Sequence, residues 1–141
     1  MQRLTGIERY LRWVLVSNGL GDILVGLALI LLPGRLARML GFETTDVIAY
    51  LSGGWGVAAL SFGALRLFAG MSAHRETRWF VAVFGAVEGA ILTAFGLAIM
   101  VTTPLSFFQV SLSTLFALAF GLAYGAAFLW QGRLRASGPR M

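Results

Sequence analysis

The sequence predicts an all-α, integral membrane four-helix bundle, and three observations predict it. Of its 141 residues, 58% are hydrophobic and only 12% charged, about half the charge of an ordinary soluble domain. The mean hydropathy is +0.82. Folding that much apolar surface in water would leave large apolar patches exposed, a difficulty that a bilayer removes. Lastly, the apolar residues gather into four runs, each near the roughly 20 residues that cross a hydrocarbon core as a helix.

The first run, residues 13–32, is closed by Pro33-Gly34. Arg3, Arg9 and Arg12 ahead of it would suit a signal peptide. Its apolar stretch exceeds the roughly 7–15 residues of a signal h-region, so it reads as a retained helix. The loop from Pro33 to Asp46 contains Arg35-Leu36-Ala37-Arg38-Met39-Leu40-Gly41-Phe42. This alternation of charged and apolar residues predicts a short helix lying in the membrane interface. The second run covers residues 47–70, the third 79–101, and the fourth 105–130, beginning after Pro104. Four helices with short connections make one membrane domain over residues 1–141, with no soluble domain beside it.

All eleven basic residues are arginines. Arg3, Arg9, Arg12, Arg75, Arg78, Arg133, Arg135 and Arg140 fall on one side of the predicted topology, and only Arg35 and Arg38 on the other. The positive-inside rule then places both termini in the cytoplasm, as in a bacterial inner membrane. Tyr10, Trp13, Trp79 and Trp130 suit an interfacial aromatic belt on that side. The net charge of +5 therefore describes a membrane-facing rim and not a nucleic-acid surface.

A helical hairpin recurs along the chain. Phe62-Gly63-Ala64-Leu65-Arg66-Leu67-Phe68-Ala69-Gly70 aligns with Tyr124-Gly125-Ala126-Ala127-Phe128-Leu129-Trp130-Gln131-Gly132, identical at four of nine positions. Runs one and three share similar segments, Gly26 to Ile30 and Gly96 to Met100, and each carries one acid, Asp22 and Glu88. This pattern predicts a parallel tandem duplication. Glycine- and leucine-rich helices also resemble one another by composition alone.

Helices in lipid associate through small residues that let their backbones approach. Such residues recur at three- and four-residue spacing and include Gly56 and Gly63 in the second run. Gly85 and Gly89 form a GxxxG motif in the third run, and Gly121 and Gly125 another in the fourth. These glycines are read as helix-packing positions.

The charged residues inside the runs ask for more than packing. Asp22 and Glu88 each lie nine residues into their apolar run, about 13 Å deep at 1.5 Å per residue. A charge at that depth costs on the order of 3 kcal/mol. Arg66 is the one cationic partner inside the runs. Side chains lean towards the N-terminus of their own helix, so Arg66 and the two acids lean towards each other. The sequence therefore predicts a polar cluster of Asp22, Glu88 and Arg66, with Asn18 and Tyr124 beside it. Two acids facing one guanidinium leave one excess negative charge, which a shared proton would neutralise. The cluster reads either as a proton-coupled or ligand-binding site or as a salt-bridged pin fixing helix register.

Other chemistry finds no support in the residues. The chain has no cysteine and one histidine, His74, in a basic loop. Disulfides, thiolate catalysis and Cys-ligated metals are excluded. The serines have no histidine or carboxylate placed to activate them, and no phosphate loop, dinucleotide fingerprint or HExxH occurs. Neither an enzyme nor a cofactor is expected.

Several segments carry a resemblance. They are Gly26-Leu27-Ala28-Leu29-Ile30-Leu31-Leu32-Pro33, the following Leu36-Ala37-Arg38-Met39-Leu40-Gly41-Phe42, and Gly53-Gly54 in the second run. In these and in its four-span plan, the chain resembles the DoxX-like membrane proteins and the related BphX-like (biphenyl-operon X) type. The resemblance implies a small bacterial four-helix membrane protein from a group mostly without assigned roles. DoxX itself is associated with quinol oxidation in respiratory complexes. It carries over no catalytic residue, and the lack of haem or metal ligands in this sequence argues against electron carriage by this chain.

Three functional expectations follow. The first is a non-enzymatic accessory or scaffold subunit whose partners are the lipid bilayer and either a larger membrane complex or a second copy of itself. The second is a small proton-linked transporter using Asp22, Glu88 and Arg66. The third is a lipid- or quinone-binding module.

Overall fold

The computed structural model describes residues 6–136. Arg3, Arg140 and the side chain of Arg135, which entered the charge comparison, lie outside the described residues. The described chain forms five helices and no strand: α1 (Gly6–Leu31), α2 (Pro33–Met39), α3 (Asp46–Met71), α4 (Arg75–Thr102) and α5 (Phe107–Ala136). All except α2 are long and apolar enough to cross a membrane. The chain is a multi-pass membrane protein. At 26 residues, α1 rises about 39 Å, enough for the hydrocarbon core and part of both interfaces.

The helices begin and end where local chemistry dictates. Pro33 opens α2, where its missing N–H costs nothing. After Leu40 the chain turns through Gly41 at φ +81°, with the Phe42 N–H donating to the Ala37 carbonyl at 2.9 Å. This Schellman closure needs a left-handed residue, which glycine adopts without strain. The Thr45 hydroxyl accepts from the Ile48 N–H and caps α3. Thr103, held extended by Pro104, ends α4. Ser106 and Gln109 form a reciprocal capping box at the start of α5. Gln109 also donates to the Gly41 carbonyl, tying the α2–α3 loop to α5.

α1 and α4 start well before the apolar runs predicted from sequence, at Gly6 and Arg75. The extra turns are rich in charge and make contacts of their own. At the C-terminal end of α3, orphan carbonyls are closed by arginines from its neighbours. Arg12 donates to the Gly70 carbonyl at 2.8 Å, and Arg78 to the Ser72 carbonyl at 2.6 Å.

The bundle consists of two hairpins, α1/α3 and α4/α5, each closely packed within itself and more lightly packed on the other. Within the first, a Cβ added to Gly63 would lie 2.7 Å from the Gly19 carbonyl, and one added to Gly26 2.7 Å from the Gly56 carbonyl. Within the second, a Cβ on Gly89 would meet the Gly121 Cα at 2.7 Å. Gly85 is covered by the Tyr124 ring. Gly125 differs from the expectation, since nothing lies within 4 Å of the position its Cβ would take. The reason is rotational. With Gly121 and Tyr124 turned towards α4, Gly125 has rotated off the contact line. The hydrophobic core, Leu11, Val14, Leu15, Ala69, Val81, Ala82, Tyr124 and Ala127, joins the two hairpins in the half of the bundle that carries the termini.

The seams also fix which positions correspond between the hairpins. Gly19 and Gly26 match Gly89 and Gly96, while Gly63 and Gly56 match Gly121 and Thr114, the residue that lies against Gly96. In this register Arg66 corresponds to Tyr124, and Asn18 to Glu88. The alignment of Gly63 with Gly125 drawn from sequence is one helical turn out of register, and Asp22 and Glu88 are not equivalent. Small residues recur every turn, so a similarity score loses little when it slips by four residues.

Candidate functional site

Every polar residue of the predicted cluster lies beside a glycine seam. Asn18 precedes Gly19 and Glu88 precedes Gly89, while Asp22, Arg66 and Tyr124 each stand three residues after a seam glycine, Gly19, Gly63 and Gly121. α1 and α3 run antiparallel, so six residues of rise, about 9 Å, separate Asp22 from Arg66 along the axis. The tilt of each side chain towards its own N-terminus closes that gap.

Arg66 uses the two arms of its guanidinium on different helices. Nη1 donates to Asp22 on α1 and Nη2 to Glu88 on α4. The first pair lies within a hairpin and the second joins the two hairpins. The Arg66 side chain is 6% exposed and that of Glu88 34%, so the cluster is sealed around the cation and partly open at one acid. The Phe62 ring lies beneath the guanidinium, 5.9 Å from centroid to Cζ.

Asn18 and Tyr124 make the corresponding contact on the other side. The Asn18 amide donates to the Tyr124 hydroxyl at 3.1 Å, and both residues are buried. The Tyr124 hydroxyl also lies beside Arg66, so all five predicted residues come together as one patch. Among the described residues no buried side-chain nitrogen or oxygen lacks a hydrogen-bond partner.

A second polar network, at the end of the bundle that carries the termini, was missed by the sequence reading. Glu8 is 5% exposed. Its Oε1 accepts from Arg75 Nε at 2.8 Å and from Trp79 Nε1 at 2.9 Å. Its Oε2 accepts from Arg78 Nε at 3.1 Å and Nη2 at 2.8 Å. The signal lay in the topology. α1 and α4 both start at the arginine-rich end, and Glu8 is the one acid ahead of the first apolar run. His74 is exposed and precedes α4 without a side-chain cap. Among the described residues no group of three or more His, Asp or Glu side chains comes together to hold a metal ion.

Comparison with protein-family models, with curated proteins and with solved structures finds no match for this chain. The polar cluster itself is what bears on function. Chemically, that arrangement can do two things. As it stands it braces the hairpins. Neutralising Glu88 would release the one ionic link between them at this depth and leave Arg66 balanced by Asp22.

Proposed function

We propose that this protein is a non-enzymatic accessory or scaffold subunit of a bacterial inner membrane, with both termini in the cytoplasm. It packs as a rigid four-span unit against a larger membrane complex or a second copy of itself. The observation that carries this reading is Arg66 held between acids from both hairpins. Asp22, Arg66 and Glu88, the charged residues inside the apolar runs, are thereby engaged in holding helices together. The glycine contacts within each hairpin point the same way, because they make the hairpins rigid units. The eight-to-two arginine asymmetry supports the orientation, and the DoxX-like resemblance fits an accessory place in a membrane assembly.

One observation favours a second reading, a small proton-linked carrier. The Glu88 side chain is one-third exposed, and ionisable groups inside membrane helices mark proton paths in many transporters. Protein reconstituted in liposomes, with an imposed pH gradient and an entrapped pH-sensitive dye, separates the two. The scaffold reading expects the gradient to decay no faster than in empty liposomes. A faster decay that Glu88→Gln abolishes would replace it with the carrier reading.

A further inference from the structure

Two grooves open at the arginine-rich end of the bundle, one along each hairpin. The groove on α1/α3, about 300 Å³, is lined by Arg9, Arg12, Trp13, Val16, Gly70 and Met71. The groove on α4/α5, about 400 Å³, is lined by Arg75, Glu76, Trp79, Phe128 and Gln131. They occupy corresponding places in the two hairpins, since Arg9 matches Trp79 and Gly70 matches Phe128 in the register set by the glycine seams. Their charges differ. The α1/α3 groove holds two arginines and no acid. In the α4/α5 groove Arg75 is committed to Glu8 and stands beside Glu76.

We propose that the α1/α3 groove is a binding site for an anionic phospholipid, its phosphate held between Arg9 and Arg12 and an acyl chain lying along Trp13, Val16 and Met71. Three features support this assignment. Arg12 is fixed in place by its hydrogen bonds to the Gly70 and Met71 carbonyls, so its outer N–H groups are already oriented for a phosphate. Arg9 stands three residues earlier on the same helical face and is exposed, with no described acid paired to it. Trp13, 67% exposed, gives an amphipathic wall at the level where headgroups meet chains. Basic pockets between membrane helices recognise anionic headgroups in this way. A zwitterionic lipid brings the same chains but has its own cation close to the phosphate, so it gains less from two arginines.

The test is native mass spectrometry of the full chain released from micelles doped with equal amounts of phosphatidylglycerol and phosphatidylcholine. The wild type is expected to retain one phosphatidylglycerol in preference to phosphatidylcholine. Arg9→Gln, at an exposed position, should weaken that retention about fivefold, the factor expected for one interfacial arginine. Arg75→Gln should leave it unchanged. Equal retention of the two lipids by the wild type would overturn the proposal, as would an Arg9→Gln protein that retains phosphatidylglycerol like the wild type. Equal losses in both variants would show a diffuse surface charge instead of a site. Displacement by water-soluble glycerol phosphate at matched concentration would assign the groove to a free anion and overturn the lipid.

Discussion

At the level of the polar cluster, two contacts that join the hairpins occupy corresponding places and use different chemistry. Between α1 and α5 a neutral amide donates to a phenol, and both groups are buried. Between α3 and α4 a guanidinium meets a carboxylate that is one-third exposed. The neutral contact needs no counter-charge and can be sealed by Leu15, Ala127 and their neighbours. The ionic one leaves a carboxylate that is cheaper to keep near a polar or protonatable surrounding. One bundle thus has a closed side and a side where a carboxylate is partly exposed. An accessory subunit would use the first for rigidity and present the second to its partner.

Removing Arg66 should break the comparison most severely. Arg66→Met leaves Asp22 and Glu88 without a cation, and a buried charge stripped of its partner costs about 3–5 kcal/mol. Reversible unfolding in mixed detergent–SDS micelles would register the loss. Next in size is the glycine seam. Gly63→Ala places a methyl group against the Gly19 carbonyl and should cost about 1–3 kcal/mol by forcing the helices apart. Gly125→Ala meets open space and should be neutral, or stabilising by up to about 1 kcal/mol through helix propensity. Glu88→Gln keeps a hydrogen-bonding group and leaves Arg66 balanced by Asp22, so about 1 kcal/mol or less is expected in the same assay. Tyr124→Phe sharpens the other side. It removes the acceptor of the Asn18 amide and should cost about 0.6 kcal/mol, typical of a neutral contact between membrane helices.

Much of this was legible in the sequence because lipid imposes simple rules. Four runs of about 20 apolar residues can only be helices, since every backbone polar group must be satisfied within its own segment. An Arg66 that cannot reach water must find Asp22 or Glu88, so the cluster followed from charge and helix direction. Less legible were features set by helix rotation. Gly19 closes a seam against Gly63 although the sequence drew attention to its neighbour Asn18, and Gly125 faces away although its spacing matched. The Glu8 network was hidden for another reason. Glu8 meets Arg75 and Arg78 from the first turn of α4, and such contacts depend on how far α1 and α4 extend beyond the apolar runs. Hydropathy does not report that extension.

The central claim is that Arg66 couples the hairpins by answering acids from both. A double-mutant cycle on Arg66→Met and Glu88→Gln in lipid nanodiscs or mixed micelles tests it most directly. With Glu88 already neutral, removing Arg66 strands one acid instead of two. The two changes should therefore be non-additive, with a coupling energy well above the roughly 0.6 kcal/mol of neutral contacts between membrane helices. Additive losses would show that Arg66 and Glu88 act independently, and the ionic brace between the hairpins would have to be given up.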